Sequence, residues 1–234
     1  MKERQEENKI EKYLYLSSKE YAVLLHLSGK RCVTGFVLDF PDDVQTKRRL
    51  LFDLYRKGII CNPGDRFEVA PEWRDVFRTV MQADRVLWIS FRDNDKQDIL
   101  CYIDRQAAVC IENLSDAGHD LYRVSMKDSG AVKNELTENG MFPRIRINKN
   151  DSGMLDEYLG VAQGGDPEII CSFSLYVNGE PEKKERITLE KEQLIYFVRF
   201  ENSEGVIRRR AFCDETERIL DRYLNTIGGH DDSC

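Results

Sequence analysis

Histidines, cysteines and paired carboxylates are the residues of this chain whose chemistry could serve catalysis or metal binding, and none falls in a spacing that assembles a centre. Three histidines occur, His26, His119 and His230. They form no His-Glu-x-x-His and no His-x-x-x-His pair, so no zinc site is written into one helix. His26 lies in a helical stretch and reads as a residue at the core edge, not as a base. Seven cysteines (Cys32, Cys61, Cys101, Cys110, Cys171, Cys213 and Cys234) are an odd number at wide spacing, without a Cys-x-x-Cys. Most sit beside apolar residues, as in Ile59-Ile60-Cys61 and Ile169-Ile170-Cys171, where a reduced thiol packs as a small core side chain. A Cys–His pair assembled across the fold is left open.

Carboxylate pairs stand at Asp42-Asp43, Asp156-Glu157 and Asp231-Asp232. All three lie in polar settings that suit helix caps and solvation; an acid/base pair needs burial to drive its two pKa values apart. Gly164-Gly165 runs into Asp166-Pro167, not into the Lys-Ser/Thr step of a phosphate loop, and there is no Gly-x-Ser-x-Gly elbow. The expectation is a non-catalytic protein with no catalytic residue, no metal and no cofactor.

Charge narrows the partners. Acidic residues outnumber basic ones 42 to 35, a poor balance for neutralising phosphates. The surplus lies wholly in residues 151–234, an acidic third that reads as a solubilising surface or a docking face for a basic partner. A local exception is the basic run Lys47, Arg48, Arg49, followed by Arg56. Helix, helix, then a turn-bearing extended pair resembles a winged helix, so these four residues are the DNA-contact candidates of an alternative reading, a transcriptional regulator. Against it, Gly35–Pro41 reads as extended where a winged helix inserts another helix. No apolar run reaches the ~18–20 residues of a membrane helix, and the charged start lacks a signal-peptide core; a cytosolic protein is expected.

Apolar side chains in a glycine-bounded linker are the third signal. Met141 and Phe142, then Met154, Leu155, Tyr158 and Leu159, fall within residues 139–165 in polar surroundings. Either they are presented to a protein partner, a use to which methionine is suited, or they tuck against a sheet.

The elements that must position these residues follow from periodicity. Ser17 or Ser18 caps a helix to about Leu27; Asp42 and Asp43 open a second with an apolar stripe of Leu50, Leu51, Leu54 and Tyr55, stopped by Gly58. Two extended pieces flank Asn62-Pro-Gly-Asp65, and Pro71 opens a third helix on which Trp73, Val76, Phe77 and Val80 face one way. Strands are expected at 86–91, 99–103, 108–111 and 121–126, then a helix at 129–138; after the linker, with a short helix at 153–159, come strands at 169–177, 185–189, 194–201 and 206–212 and a helix at 214–224. Residues 1–12 read as a solvated lead-in.

Both blocks run strand, strand, strand, strand, helix, and they align at offsets of about 83–85 residues, which reads as a diverged duplication; any antiparallel α+β fold can show the same order. The fold class expected is therefore α+β. It has a central antiparallel sheet of two quasi-repeated halves flanked by helices, with an N-terminal winged-helix-like segment. One domain spans 1–234, with pseudo-halves 13–140 and 141–228 and a loose tail at 229–234.

The order of Leu16-Ser-Ser-Lys-Glu-Tyr-Ala-Val-Leu-Leu25, Leu50-Leu-Phe-Asp-Leu-Tyr-Arg-Lys-Gly-Ile-Ile60, Phe67-Glu-Val-Ala-Pro71 and Gly205-Val-Ile-Arg-Arg-Arg-Ala-Phe-Cys-Asp214 resembles the EspG family associated with type VII (ESX) secretion. The resemblance implies a quasi-two-fold sheet flanked by helical bundles. It also implies a cytosolic chaperone or adaptor that shields the apolar tip of a helical secretion substrate, so the expected partner is a protein, without membrane or nucleic acid.

Overall fold

The structure is a computed structural model that describes residues 13–30, 32–36, 40–93, 95–104, 107–115, 120–138, 142, 143, 145, 167–180, 182–192 and 195–224. The class is α+β. Nine strands form one antiparallel sheet in the order β1-β7-β6-β5-β4-β8-β9-β10-β11. The first meander is β4 (Arg85–Phe91), β5 (Ile99–Ile103), β6 (Ala108–Asn113) and β7 (Tyr122–Lys127), followed by α4 (Ser129–Glu138). The second is β8 (Glu168–Val177), β9 (Lys183–Glu192), β10 (Ile195–Asn202) and β11 (Gly205–Arg210), followed by the last helix, here α5 (Glu215–Leu224). The meanders meet where β4 pairs antiparallel with β8, from Arg85↔Val177 to Phe91↔Cys171, and spread outward in opposite directions. This is the quasi-two-fold arrangement expected from the repeated order.

Period-2 alternation gives each strand two faces. On the lower face Leu87, Ile89, Cys101, Ile103, Cys110, Phe173, Ile187, Leu189 and Val198 pack with Val132 and Leu136 of α4 and with Ile219, Leu220 and Tyr223 of α5. The two helices touch there, Lys133 Nζ lying 2.8 and 2.9 Å from the Asp221 carboxylate oxygens.

On the upper face Val86, Leu100, Tyr102, Val109, Ile111 and Val124 are covered by the N-terminal elements. These are α1 (Ser18–Leu27), α2 (Val44–Arg56), a hairpin of β2 (Ile60–Cys61) with β3 (Glu68–Val69), a 3-10 turn at Pro71–Trp73 and α3 (Arg74–Gln82). The start of α1 is fixed by a reciprocal capping box: Glu20 N–H donates to Ser17 Oγ at 3.2 Å and Ser17 N–H to the Glu20 carboxylate at 2.9 Å. Asp43 caps α2 by accepting from Thr46 N–H at 2.7 Å, and hydrogen bonds from the Thr46 side chain and then from that N–H hold its carboxyl below the usual range.

One expectation needs correction: Tyr55, expected in the apolar stripe of α2, is 52 % exposed. The buried direction of α2 runs through Leu50 and Leu54, and Tyr55 lies one full 100° step beyond Leu54, clear of that arc. Strand β1 (Tyr13–Leu16), not among the expected elements, pairs with β7 and buries Leu14 and Leu16; the expected lead-in of residues 1–12 lies outside the described residues. Four residues are too short to show a period by themselves. The helix expected at 153–159 lies outside the described residues.

Burial sets thiol behaviour. Cys101 and Cys110 face each other across β5 and β6 with sulfurs 3.1 Å apart, whereas Cys32 and Cys213 are exposed. Burial pushes the Cys171 thiol up to about 12, with the Lys96 charge opposing it in part. An unfolded thiol ionises near pH ~8.5, so the unfolded chain loses this proton before the folded one does. Stability contributed by Cys171 is thus complete below pH ~8.5 and declines as pH climbs toward 12. Urea midpoints measured across that window should fall less steeply in Cys171→Ala than in the parent, even though the variant starts less stable; parallel slopes would contradict the assignment.

Candidate protein-binding surface

The upper face is divided in two by sequence. Its β4–β7 half is apolar and lies under α1–α3; of β8–β11, only Tyr176 joins that cluster. The rest of the second half presents Ser172 and Ser174 from β8, Arg186, Thr188, Glu190 and Glu192 from β9, Phe197, Arg199 and Glu201 from β10, and Val206, Arg208 and Arg210 from β11, as the register dictates. None of these belongs to either hydrophobic cluster among the described residues. A face meant for a core would not be written in arginine and glutamate. Glu190 is buried within it, with Arg208 Nε 2.7 Å and Arg199 Nη1 4.0 Å away, so the charges on this face are mostly matched.

A short loop marks the boundary between the apolar and the polar halves. Val33 and Phe36 bridge around Thr34-Gly35. Gly35 sits at φ +87°, and a Cβ there would lie 2.4 Å from Leu100 Cδ2, so both conformation and space require glycine. Thr34 anchors the loop to the β8–β9 turn: its Oγ1 accepts from Gly179 N–H at 3.1 Å and lies 3.2 Å from the Val177 carbonyl oxygen. Its own carbonyl accepts from Tyr102 Oη–H at 2.5 Å. Tyr102 is buried beside Tyr21, and desolvation drives both phenols far above their ordinary range, so both stay neutral.

That loop raises an aromatic wall on the sheet. Phe36 lies 4.8 Å from Tyr21 and 5.2 Å from Tyr122, centroid to centroid. Trp88 faces Tyr176 at 6.4 Å and donates its indole N–H to Asp98 at 3.0 Å. On one side of Phe36 and Trp88 is a cleft of about 440 Å³, reaching Cys32, Tyr176 and Glu180. On the other is one of about 200 Å³, reaching Asp98, Ile111 and Tyr122. Neither lining holds a histidine or a lysine among the described residues. Chemically the clefts can accept an apolar side chain against aromatic rings, with a few polar groups to orient it.

The residues singled out from sequence scatter. Phe142 is buried in the lower core, stacked on Phe173 at 5.5 Å and 5.7 Å from Phe91, which is the tucked alternative. Met141, Met154, Leu155, Tyr158 and Leu159 lie outside the described residues, as do His119 and His230. Lys47, Arg48, Arg49 and Arg56 are all exposed on α2. They share its outer surface with Val44, Phe52 and Tyr55, which are 61 %, 60 % and 52 % exposed. Arg49 lies 4.0 Å from Asp53, and no described residue between α1 and α2 is helical. His26 is exposed on α1, edge-on to Phe40 at 5.4 Å. Sequence reasoning missed the Phe36–Trp88–Tyr176 cleft; the available signal was Thr34-Gly35, a glycine inside an apolar run.

Among the described residues no cluster of His, Cys, Asp and Glu is disposed to hold a metal ion, and no helix is long and apolar enough to cross a membrane. No protein-family model matches the chain, and no curated protein matches its sequence. Among solved structures it is similar to the type VII secretion system chaperone EspG5 of Mycobacterium tuberculosis, determined in complex with a PE25–PPE41 dimer. The two superpose with a TM-score of 0.53 over 92 % of this chain and 95 % of that one, at 11 % identity. That likeness agrees with the fold implied by the sequence resemblance, and it speaks to fold alone.

Gly35 and Gly64 offer a test of the boundary loop, since both have positive φ but only Gly35 has a neighbour where a Cβ would go. Gly64→Ala should cost roughly the 1–2 kcal/mol of a left-handed alanine, and Gly35→Ala clearly more. Equal losses in chemical denaturation would show that the loop does not press on Leu100.

Proposed function

We propose that this protein works by binding another protein, as a chaperone or adaptor for a helical substrate of type VII secretion, inside the cell. The observation that carries the reading is the aromatic cleft of Phe36, Trp88 and Tyr176 opening onto a sheet face that no described element covers. An apolar anchor from a partner seats in such a cleft, and the charged face beside it fixes orientation, which is the usual division between buried core and polar rim of an interface. The fold likeness to EspG5 supports the reading, because that protein is a chaperone solved with a bound protein dimer. The apolar linker residues Met141, Met154, Leu155, Tyr158 and Leu159 belong to the same proposal. They precede β8, the strand that carries Tyr176.

Purification from the native host at mild salt should recover a helical secretion substrate. Trp88→Asp with Tyr176→Ala, and separately Met154→Ser with Leu155→Ser, should each lower its recovery at least tenfold without changing the melting temperature of the lower core. Recovery of no such protein, or recovery indifferent to both pairs of changes, would sink the proposal. Duplex DNA should not be retained at low salt. Retention lost on changing Lys47, Arg48 and Arg49 to Ala would favour the regulator instead.

A further inference from the structure

Among the described residues, two guanidinium groups at one end of the polar face meet no carboxylate. Arg186 of β9 donates from Nη2 to Ser172 Oγ at 3.1 Å, while its Nε is buried and makes no hydrogen bond. Glu201 stands opposite Arg186 in the register with β10 but is engaged by Lys183 at 3.8 Å, and Arg186 reaches the other way, toward β8. Arg92, one residue past β4, is held through its backbone N–H to the Ile170 carbonyl at 3.1 Å, and its side chain has no ion pair among the described residues. Neighbouring arginines behave differently. Arg199 and Arg208 share Glu190, Arg209 meets Glu215, and Arg222 meets Glu185.

In a chain with 42 acids to 35 bases, a half-buried arginine lacking a carboxylate departs from the rule that buried polar groups are satisfied. Arg92 and Arg186 line one cavity of about 500 Å³ together with Ser90, Ser172, Pro167 and Ile169. Ser90 and Ser172 are direct cross-strand partners, so their side chains leave the sheet on the same face.

We propose that this cavity is a binding site for a phosphoryl group, with Arg92 and Arg186 supplying the charge and the Ser90 and Ser172 hydroxyls the remaining hydrogen bonds. Two unpaired guanidinium groups match the near-dianionic charge of a phosphate at neutral pH, and arginine suits its oxygen geometry. The cavity exceeds one phosphate in volume and falls in the range of small-molecule sites, so the group arrives on a larger carrier. The site stands whether or not a protein covers the open face, because small anions test it.

The experiment is thermal unfolding of the full chain, with inorganic phosphate titrated against sodium chloride at equal ionic strength. Phosphate should raise the melting temperature saturably. The apparent affinity should fall at least tenfold in Arg92→Gln and in Arg186→Gln, and remain unchanged in Arg199→Gln, whose arginine already has Glu190. Arg92 is exposed, so its variant retains the fold even if Arg186→Gln does not. Tighter binding of O-phosphoserine or of a nucleoside monophosphate than of phosphate itself would support a carried phosphoryl group and identify its source. A response to phosphate no larger than to chloride, an equal response to acetate, or an Arg92→Gln variant that titrates like the parent would each overturn the assignment.

Discussion

The antiparallel pairing of β4 with β8 is the constraint on which the molecule depends. Seven residues of β4 find partners on β8, and through them two four-stranded meanders become one sheet. Because side chains alternate, that single register decides which residues of the second half point down and which point up. With Leu87 opposite Leu175 and Ile89 opposite Phe173, the lower face is continuous across the junction, so α4 and α5 cover it as a pair. The same register sends Ser172, Ser174 and the arginines and glutamates of β9–β11 upward. A slip of one residue would exchange the two faces and bury the charges under α5.

Asymmetry between the halves follows from what precedes each meander. Before β4 the chain supplies α1, α2, the β2–β3 hairpin and α3, and the apolar upper face of β4–β7 is buried beneath them. The second half matches in strands and final helix but is polar above, and the two conditions meet at the loop of residues 32–36. There Thr34 reaches across to the β8–β9 turn, Gly35 rests on Leu100, and Phe36 and Trp88 stand at the edge of the covered region. The cleft is thus a consequence of joining an apolar half under α1–α3 to a polar half that no described helix covers. Its aromatic rings are the last apolar residues before the charged face begins.

Much of this was legible in sequence where one local rule decided the outcome. The capping box at Ser17, the glycine stop at Gly58, the Asn-Pro-Gly-Asp turn and the strand alternation from Val86 onward each depend on near neighbours, and each element stands where those residues place it. The repeated strand order also survived into the topology, since short turns force consecutive strands to lie side by side. What escaped depended on distant partners. Strand β1 exists only because β7 offers an edge. Tyr55 is exposed because α1 and the sheet fix which arc of α2 faces inward. Phe142 stacks on Phe173, a strand residue 31 positions further along the chain. The cleft needs Phe36, Trp88 and Tyr176 to converge from three separate segments, and no spacing along the chain announces that.

Under the proposed function, the working surface is the upper side of the sheet, at the edge of the N-terminal elements, and the lower side serves packing. Oxidative footprinting read by mass spectrometry measures this directly, by comparing side-chain modification of the free protein with that of its complex with the partner recovered from the host. Phe36, Trp88, Tyr176 and Phe197 should lose reactivity on complex formation, while Phe52, Tyr55 and the exposed Ile207 on the opposite face of β11 keep theirs. Protection confined to α2, or to the α4–α5 side, with the Trp88 region unchanged, would contradict it.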